Sequence, residues 1–162
     1  MAETDNPDDL AALAAAADAL AAGVEAALPS WLARSTLQVA AAWDPEVAAG
    51  LGEEAAAAGR AALAEVAPAL RALLGTDVDE QRTGPLDVIR SAVPHATRVL
   101  AGAGVPAVPR DEVRARLFPD DRYDLAPSAF TDLGPELGDV GIAWGAAKAY
   151  VVLARRRREG RR

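Results

Sequence analysis

Apolar side chains recur every three or four residues along the first part of the chain, which is the spacing of one helix face. The repeat runs through Leu10, Leu13, Ala17, Leu20, Val24, Ala27 and Trp31. Asn6 is a favourable N-cap residue, and Pro7 suits the first helical position. Because an interior proline removes a backbone hydrogen bond, we expect this helix to span residues 7–28 and to end before Pro29.

The rest of the front half carries two further helical patterns, which we assign to residues 31–43 and 45–74. The pair Asp44-Pro45 combines a capping residue with a proline at the first helical position, and so marks the start of the helix at 45–74. Between Leu51 and Leu63 almost every apolar residue is alanine. Such small side chains allow two helices to approach closely, because the distance between helix axes depends on the side chains in contact.

The back half is punctuated by prolines and predicts shorter elements. In order, these are a helix at 85–103, a loop at 102–109, a short helix at 110–117, a turn-rich stretch at 118–138 with one helical turn at 127–132, and a last helix at 139–158. The last helix has an apolar face formed by Val140, Trp144, Ala147, Val151 and Ala154. No segment has a convincing strand pattern. The sequence therefore predicts an all-α protein, a compact helical bundle with an alanine-rich front half and a proline-punctuated back half.

Length and composition fit one domain. The chain has 162 residues, which is an ordinary size for a single domain. We expect one helical domain over 1–154, made of alanine-rich helices at 1–75, a connector at 76–84 and the back half at 85–154, followed by a basic tail at 155–162. Alanine accounts for 41 residues, 28 of them within 1–75, while aromatic residues make up only 4%. The predicted core therefore relies on close helix contacts more than on large side chains.

Composition and charge exclude several classes of protein. The chain has no cysteine and one histidine, so disulfides, thiolate catalysis and metal sites built on cysteine or on several histidines are excluded within one chain. Residues 1–80 hold 14 acidic and 3 basic residues, a net charge of −11, whereas residues 155–162 carry a net charge of +5. No signal peptide and no uncharged apolar stretch of about 18 residues is visible. We expect a cytoplasmic protein with no membrane partner and no cofactor.

One acidic string invites a metal interpretation. Residues 120–124 read Asp-Asp-Arg-Tyr-Asp, which resembles the DDxxD string with which all-helical isoprenoid synthases hold magnesium. Pro119 and Pro127 flank the string and oppose a regular helix that would align its carboxylates. We therefore favour a turn shaped by Asp120 and Asp121. A small-molecule or metal-dependent activity around Arg82, Asp120, Asp121 and Tyr123 is kept as an alternative.

Two basic features could serve catalysis or phosphate binding. His95 follows Pro94, and no acid close in sequence is placed to orient its imidazole, so we interpret it as a boundary residue and not as a catalytic base. Arg155, Arg156, Arg157 and Arg158 form a compact basic run that can contact phosphates. No aromatic residue interleaves with these arginines, which argues against stacking on nucleic-acid bases. A nucleic-acid-associated factor is therefore an alternative that we do not favour.

Several short motifs in the back half form an ordered set. They are residues 81–86, beginning with Gln81 and Arg82; residues 103–106; Phe118-Pro119-Asp120-Asp121 with Tyr123; and residues 144–149, which include Trp144 and Lys148. Together they resemble a family of uncharacterised small proteins from GC-rich actinobacteria, over about residues 81–158. The resemblance implies a GC-rich bacterial source and assigns no catalytic or cofactor residue. We take its most distinctive side chains as a candidate ligand or partner surface: Gln81, Arg82, Asp120, Asp121, Tyr123, Trp144 and Lys148.

The function that these observations favour is a non-enzymatic protein-interaction or regulatory module. The familiar catalytic constellations are missing, which leaves binding to a protein partner or self-association as the leading expectation. The heptad-like seam between Leu10 and Val24 is one candidate surface for a dimer. The net charge of −11 in residues 1–80 opposes that dimer, so it would tighten as salt screens the repulsion.

Overall fold

The computed structural model describes residues 6–76 and 84–161, and all of the regular elements in these two ranges are helical. This confirms the prediction of an all-α protein. The elements are α1 (Pro7–Trp43), α2 (Pro45–Ala49), α3 (Gly52–Leu74), α4 (Pro85–Arg90), α5 (Val93–Gly102), α6 (Glu112–Leu117), a 3₁₀ turn (Phe130–Asp132) and α7 (Leu137–Gly160). The long helices α1, α3 and α7 form the body of the molecule, with α1 packed against both of the others.

Helix α1 continues through Pro29, so the predicted helix end at residue 28 is wrong. An interior proline costs a helix roughly 3 kcal/mol. Leu28 and Leu32, on either side of Pro29, are fully buried, and burying each such side chain contributes about 1.5–3 kcal/mol. Tertiary packing therefore outweighs the local penalty and keeps the two predicted helices as one.

The close approach of α1 and α3 occurs at this proline. A Cβ atom built on Gly59 of α3 would lie 2.5 Å from the Pro29 carbonyl oxygen, a distance that side-chain carbons do not adopt. Gly59 itself is buried. The alanine-rich part of α3 thus fits directly against the backbone of α1, as the small-residue pattern predicts.

Two other predicted helices are each broken into two. The predicted helix at 45–74 is interrupted between α2 and α3, around Gly50, because glycine is a poor helix former. The predicted helix at 85–103 breaks between α4 and α5. Pro94 explains that break, because its ring would clash with a carbonyl one turn earlier, whereas in the first turn of α5 it is tolerated. The short helix, the single helical turn and the last helix are confirmed within a few residues.

The front seam belongs to the interior of this chain. Its residues Leu13, Ala17, Leu20 and Val24 are buried in the described structure, where α1 packs on α3 and α7. One hydrophobic cluster continues from these helices into the back half through Ile89, Leu100, Tyr123, Leu133 and Leu137. The seam is therefore occupied by intramolecular contacts, and a dimer formed through it would have to displace them.

Polar contacts add a link between α1 and α3. Arg71 of α3 pairs with Glu25 at 2.6 Å and with Asp18 at 2.9 Å, both on α1. The hydrogen bonds that the Arg71 guanidinium donates to the Glu25 carboxylate and then to the Asp18 carboxylate raise the pKa of Arg71 above its usual value. Because these ion pairs are largely open to solvent, they contribute little to the free energy of unfolding.

Candidate functional site

Asp121 of the acidic string faces the protein interior. Its carboxylate accepts hydrogen bonds from the backbone N–H groups of Leu125 at 2.9 Å and Ala126 at 2.8 Å. Asp120 is exposed, whereas Asp121 is buried. The two neighbouring carboxylates are thus used differently, and Asp121 shapes the turn that carries residues 121–126 into the core.

Side chains also pin the irregular segment around this turn. Arg110 donates to the carbonyl oxygens of Phe118 at 2.9 Å and Asp121 at 2.7 Å. The Tyr123 hydroxyl, deep in the core, donates to the Val105 carbonyl at 2.7 Å. These side-chain hydrogen bonds satisfy backbone carbonyl groups that intrahelical hydrogen bonds would satisfy in a helix. They therefore hold this proline-rich segment in place. Tyr123 is therefore an interior anchor and is not open to a partner.

A cleft of about 510 Å³ lies between α1 and this segment. Trp31 and Tyr123 are among its lining residues, and its polar lining comes from Ser35, Gln38, Arg114, Asp124 and Asp132. The charged groups are engaged within the chain. Arg114 forms an ion pair with Asp124 at 2.8 Å, and Asp132 accepts from the N–H groups of Ser128 and Ala129. Sequence reasoning missed this cleft because its walls lie about 80 residues apart along the chain.

His95 has an acidic partner that sequence reasoning also missed. Its Nε2 lies 2.5 Å from the carboxylate of Glu65 on α3, and its Nδ1 lies 3.0 Å from a guanidinium nitrogen of Arg98. A carboxylate only accepts and a guanidinium only donates, so Nε2 donates to Glu65 and Nδ1 accepts from Arg98. Since both ring nitrogens are engaged, the group links α3 to α5 and leaves neither nitrogen for a substrate.

The inward face of α7 follows the predicted pattern. Val140 and Trp144 pack against the core, and Val151 is buried. The Lys148 ammonium lies 5.2 Å from the centroid of the Trp144 ring, within the range of a cation–π contact. Trp144 and Lys148 thus support the helix packing. The remaining candidates of the partner surface, Gln81 and Arg82, lie outside the described residues.

The opposite side of α7 is apolar and exposed, a feature that sequence reasoning did not find. Ile142, Tyr150 and Leu153 are 71%, 61% and 52% exposed, and Ala146 and Ala149 between them are exposed as well. We call these five residues the outer face of α7. Only three of the 24 residues of this helix are buried.

Two of the described helices, α1 and α7, are long and apolar enough to cross a membrane, judged by length and composition alone. The sequence pattern predicts no such span, because charged residues interrupt both apolar stretches. Helix α1 uses its apolar residues in the core, with nine of them buried. Helix α7 has a similar composition and little of it is covered. The cytoplasmic location stays a prediction.

The arginine run is helical at least through Arg158, because α7 extends to Gly160. Arg155 and Arg158 are partly buried, and Arg155 lines a cleft together with residues of α1 and α3. Arg156 and Arg157 are exposed. The start of the predicted basic tail is thus a continuation of α7 that lies partly against the body of the protein.

Comparison with protein-family models, with curated proteins and with solved structures finds no match to this chain. The resemblance to small actinobacterial proteins therefore stays a prediction. Within residues 6–76 and 84–161, no group of three or more histidine, aspartate or glutamate side chains is placed to hold a metal ion.

Proposed function

We propose that this protein is a non-enzymatic interaction module that binds a protein partner through the outer face of α7. The observation that carries the proposal is the exposure of Ile142, Tyr150 and Leu153 along one side of a single helix. Scattered apolar residues are normal on protein surfaces, but a contiguous apolar patch is typical of an interaction site.

The composition of this surface suits protein recognition. Tyr150 and Leu153 form a shallow groove with Arg157 and Arg161. Tyrosine and arginine are enriched among residues that dominate binding energy. Transferring the exposed parts of the Ile142 and Leu153 side chains out of water would contribute about 1–2 kcal/mol each. The face therefore combines an apolar centre with a polar margin, as protein interfaces do.

The two alternative functions have less support. Nucleic-acid binding would rely on the arginine run, but Arg155 and Arg158 are partly buried and the body of residues 1–80 is strongly acidic. A metal-dependent activity would rely on Asp120 and Asp121, but the Asp121 carboxylate is engaged by two backbone amides. Neither alternative accounts for the exposed apolar residues of α7.

A photo-crosslinking residue placed at Tyr150 in cells of the source organism tests the proposal. We expect discrete protein adducts from Tyr150, and none from the same probe at Ala61, an exposed residue of α3 that serves as the control. Adducts to lipid or nucleic acid alone, or equal labelling at both positions, would contradict the proposal.

A further inference from the structure

We infer that the partner covering the outer face of α7 is a second copy of this chain, bound antiparallel about a two-fold axis. This inference rests on the proposed function, since it names the occupant of the same surface. The front seam, which the sequence offered as a dimer surface, is buried within the chain from Leu13 to Val24, and only Leu10 at its start is exposed. The outer face of α7 is the long apolar helix surface that stays uncovered.

The apolar residues of the outer face are spaced symmetrically about its centre. Ile142, Ala146, Ala149 and Leu153 are separated by four, three and four residues, which keeps them on one side of a helix. In an antiparallel pair centred between residues 147 and 148, Ile142 of each copy meets Leu153 of the other. A two-fold dimer requires a surface that is complementary to itself, and this spacing provides one.

The residues at the centre of the outer face have small side chains. Ala146 and Ala149 are exposed, and a Cβ atom built on the neighbouring Gly145 would contact nothing within 4 Å. Two helices can therefore approach closely at this point. The same symmetry places Tyr150 of one copy opposite Gly145 of the other, where the missing side chain leaves room for the ring.

Charges at the two ends of the face select the antiparallel arrangement. Asp139 lies one turn before Ile142, and Arg156 and Arg157 lie one turn after Leu153; all three are exposed. An antiparallel pair brings Asp139 of each copy against the arginines of the other, whereas a parallel pair brings arginines together. Like charges placed opposite each other in an interface select against that arrangement. A lipid surface would use the arginines but would gain nothing from Asp139.

The size of the surface sets the expected affinity. Helix α7 has 24 residues and is therefore about 36 Å long. One helix pair lies at the lower end of the area that specific dimers bury, and the net charge of −7 on each copy opposes association. We expect a reversible dimer with a dissociation constant on the order of 10 µM.

Analytical ultracentrifugation of the full chain across that range tests the inference. Ala146→Glu places charges at the centre of the pair and should weaken the dimer by about 100-fold. Ala61→Glu makes the same substitution at an exposed site of α3 and should leave association unchanged. Melting curves recorded on dilute protein should be similar for both variants, which separates loss of association from loss of folding.

A charge-reversal cycle distinguishes the antiparallel dimer from other uses of the face. Asp139→Arg and Arg157→Asp should each weaken the dimer by about tenfold, and the two together should restore it. A single species near 16.7 kDa at all concentrations, or failure of the double variant to restore association, would overturn the inference. Monomeric protein that floats with phosphatidylglycerol vesicles would overturn it in favour of a membrane surface.

The crosslinking result separates this inference from the proposed function. If the chain is monomeric but Tyr150 crosslinks to a different protein, the interaction module stands and the second copy is wrong as its occupant. If Tyr150 yields no protein adduct and the chain is monomeric, both fail.

Discussion

Asp121 accepts hydrogen bonds from two backbone amides in the interior, and this carboxylate fixes the turn that follows α6. We predict that Asp121→Ala destabilises the protein by about 3 kcal/mol, because it leaves two buried N–H groups without acceptors. Urea unfolding followed by circular dichroism measures the change.

The neighbouring Asp120→Ala is the matched control. Asp120 is exposed, so its loss should change the free energy of unfolding by no more than about 0.5 kcal/mol. Equal costs for both variants would contradict the assignment of the turn to Asp121. Stoichiometric magnesium binding in calorimetry, lost when both aspartates are replaced, would revive the metal interpretation.

Gly59 is a second residue whose role depends on a neighbour, because a side chain there would overlap the Pro29 carbonyl of α1. We predict that Gly59→Ala costs about 1–3 kcal/mol through overpacking, although alanine is the better helix former. Gly102→Ala, at a helical position with open space around it, should be neutral or stabilising by up to about 1 kcal/mol. Thermal unfolding should show a lower melting temperature for Gly59→Ala and an unchanged or higher one for Gly102→Ala. A gain in stability for Gly59→Ala would refute the close contact.

At the scale of elements, α1 keeps a proline in its interior because the packing on either side of it holds the helix together. Pro29→Ala restores a backbone donor one turn after Glu25 and keeps the carbonyl that contacts Gly59. We predict that the free energy of unfolding rises by about 1–2 kcal/mol. The helix stability gained by removing the proline exceeds the entropic cost of a more flexible unfolded chain. A loss of stability in denaturant unfolding would show that the proline ring itself is a needed part of the core.

Helix α7 has two apolar sides, one packed on the core and one proposed to bind a second copy. Truncating its C-terminal end distinguishes the contribution of that end to folding from its contribution to association. Residues 156–161 are mostly exposed, so deleting residues 156–162 should lower the melting temperature of dilute protein by only a few degrees. The same deletion removes Arg156 and Arg157 and should weaken self-association. A large drop in melting temperature would instead show that the final turn of α7 is part of the folded body.

At the scale of the whole molecule, one hydrophobic cluster joins the alanine-rich front half to the back half. Leu20 and Val24 of α1 belong to the same cluster as Tyr123 and Leu133. We predict a single cooperative unfolding transition, with coincident curves from tryptophan fluorescence and far-ultraviolet circular dichroism. Two separated transitions would mean that the halves are independent units, against the domain organisation that the sequence predicts.

Helical periodicity, capping residues and the absence of strand patterns predicted the all-α class and the approximate positions of most helices, because these signals are local in the chain. The face of α7 containing Trp144 and Val151 was found in the same way. Helix boundaries at Pro29, Gly50 and Pro94 were predicted less well. At each of them a local penalty competes with packing, and the outcome depends on which neighbours bury the flanking side chains.

Tertiary structure decided which of the apolar surfaces stays open. The seam of α1 and the outer face of α7 look alike as sequence patterns, yet α3 and α7 cover the first, whereas the second has no cover within the described structure. Glu65 lies beside His95, and Ser35 lies across a cleft from Asp124, because helices bring together residues that are distant along the chain. Periodicity shows that a residue lies on a helix face, but the packing of the other helices determines whether that face meets protein or water.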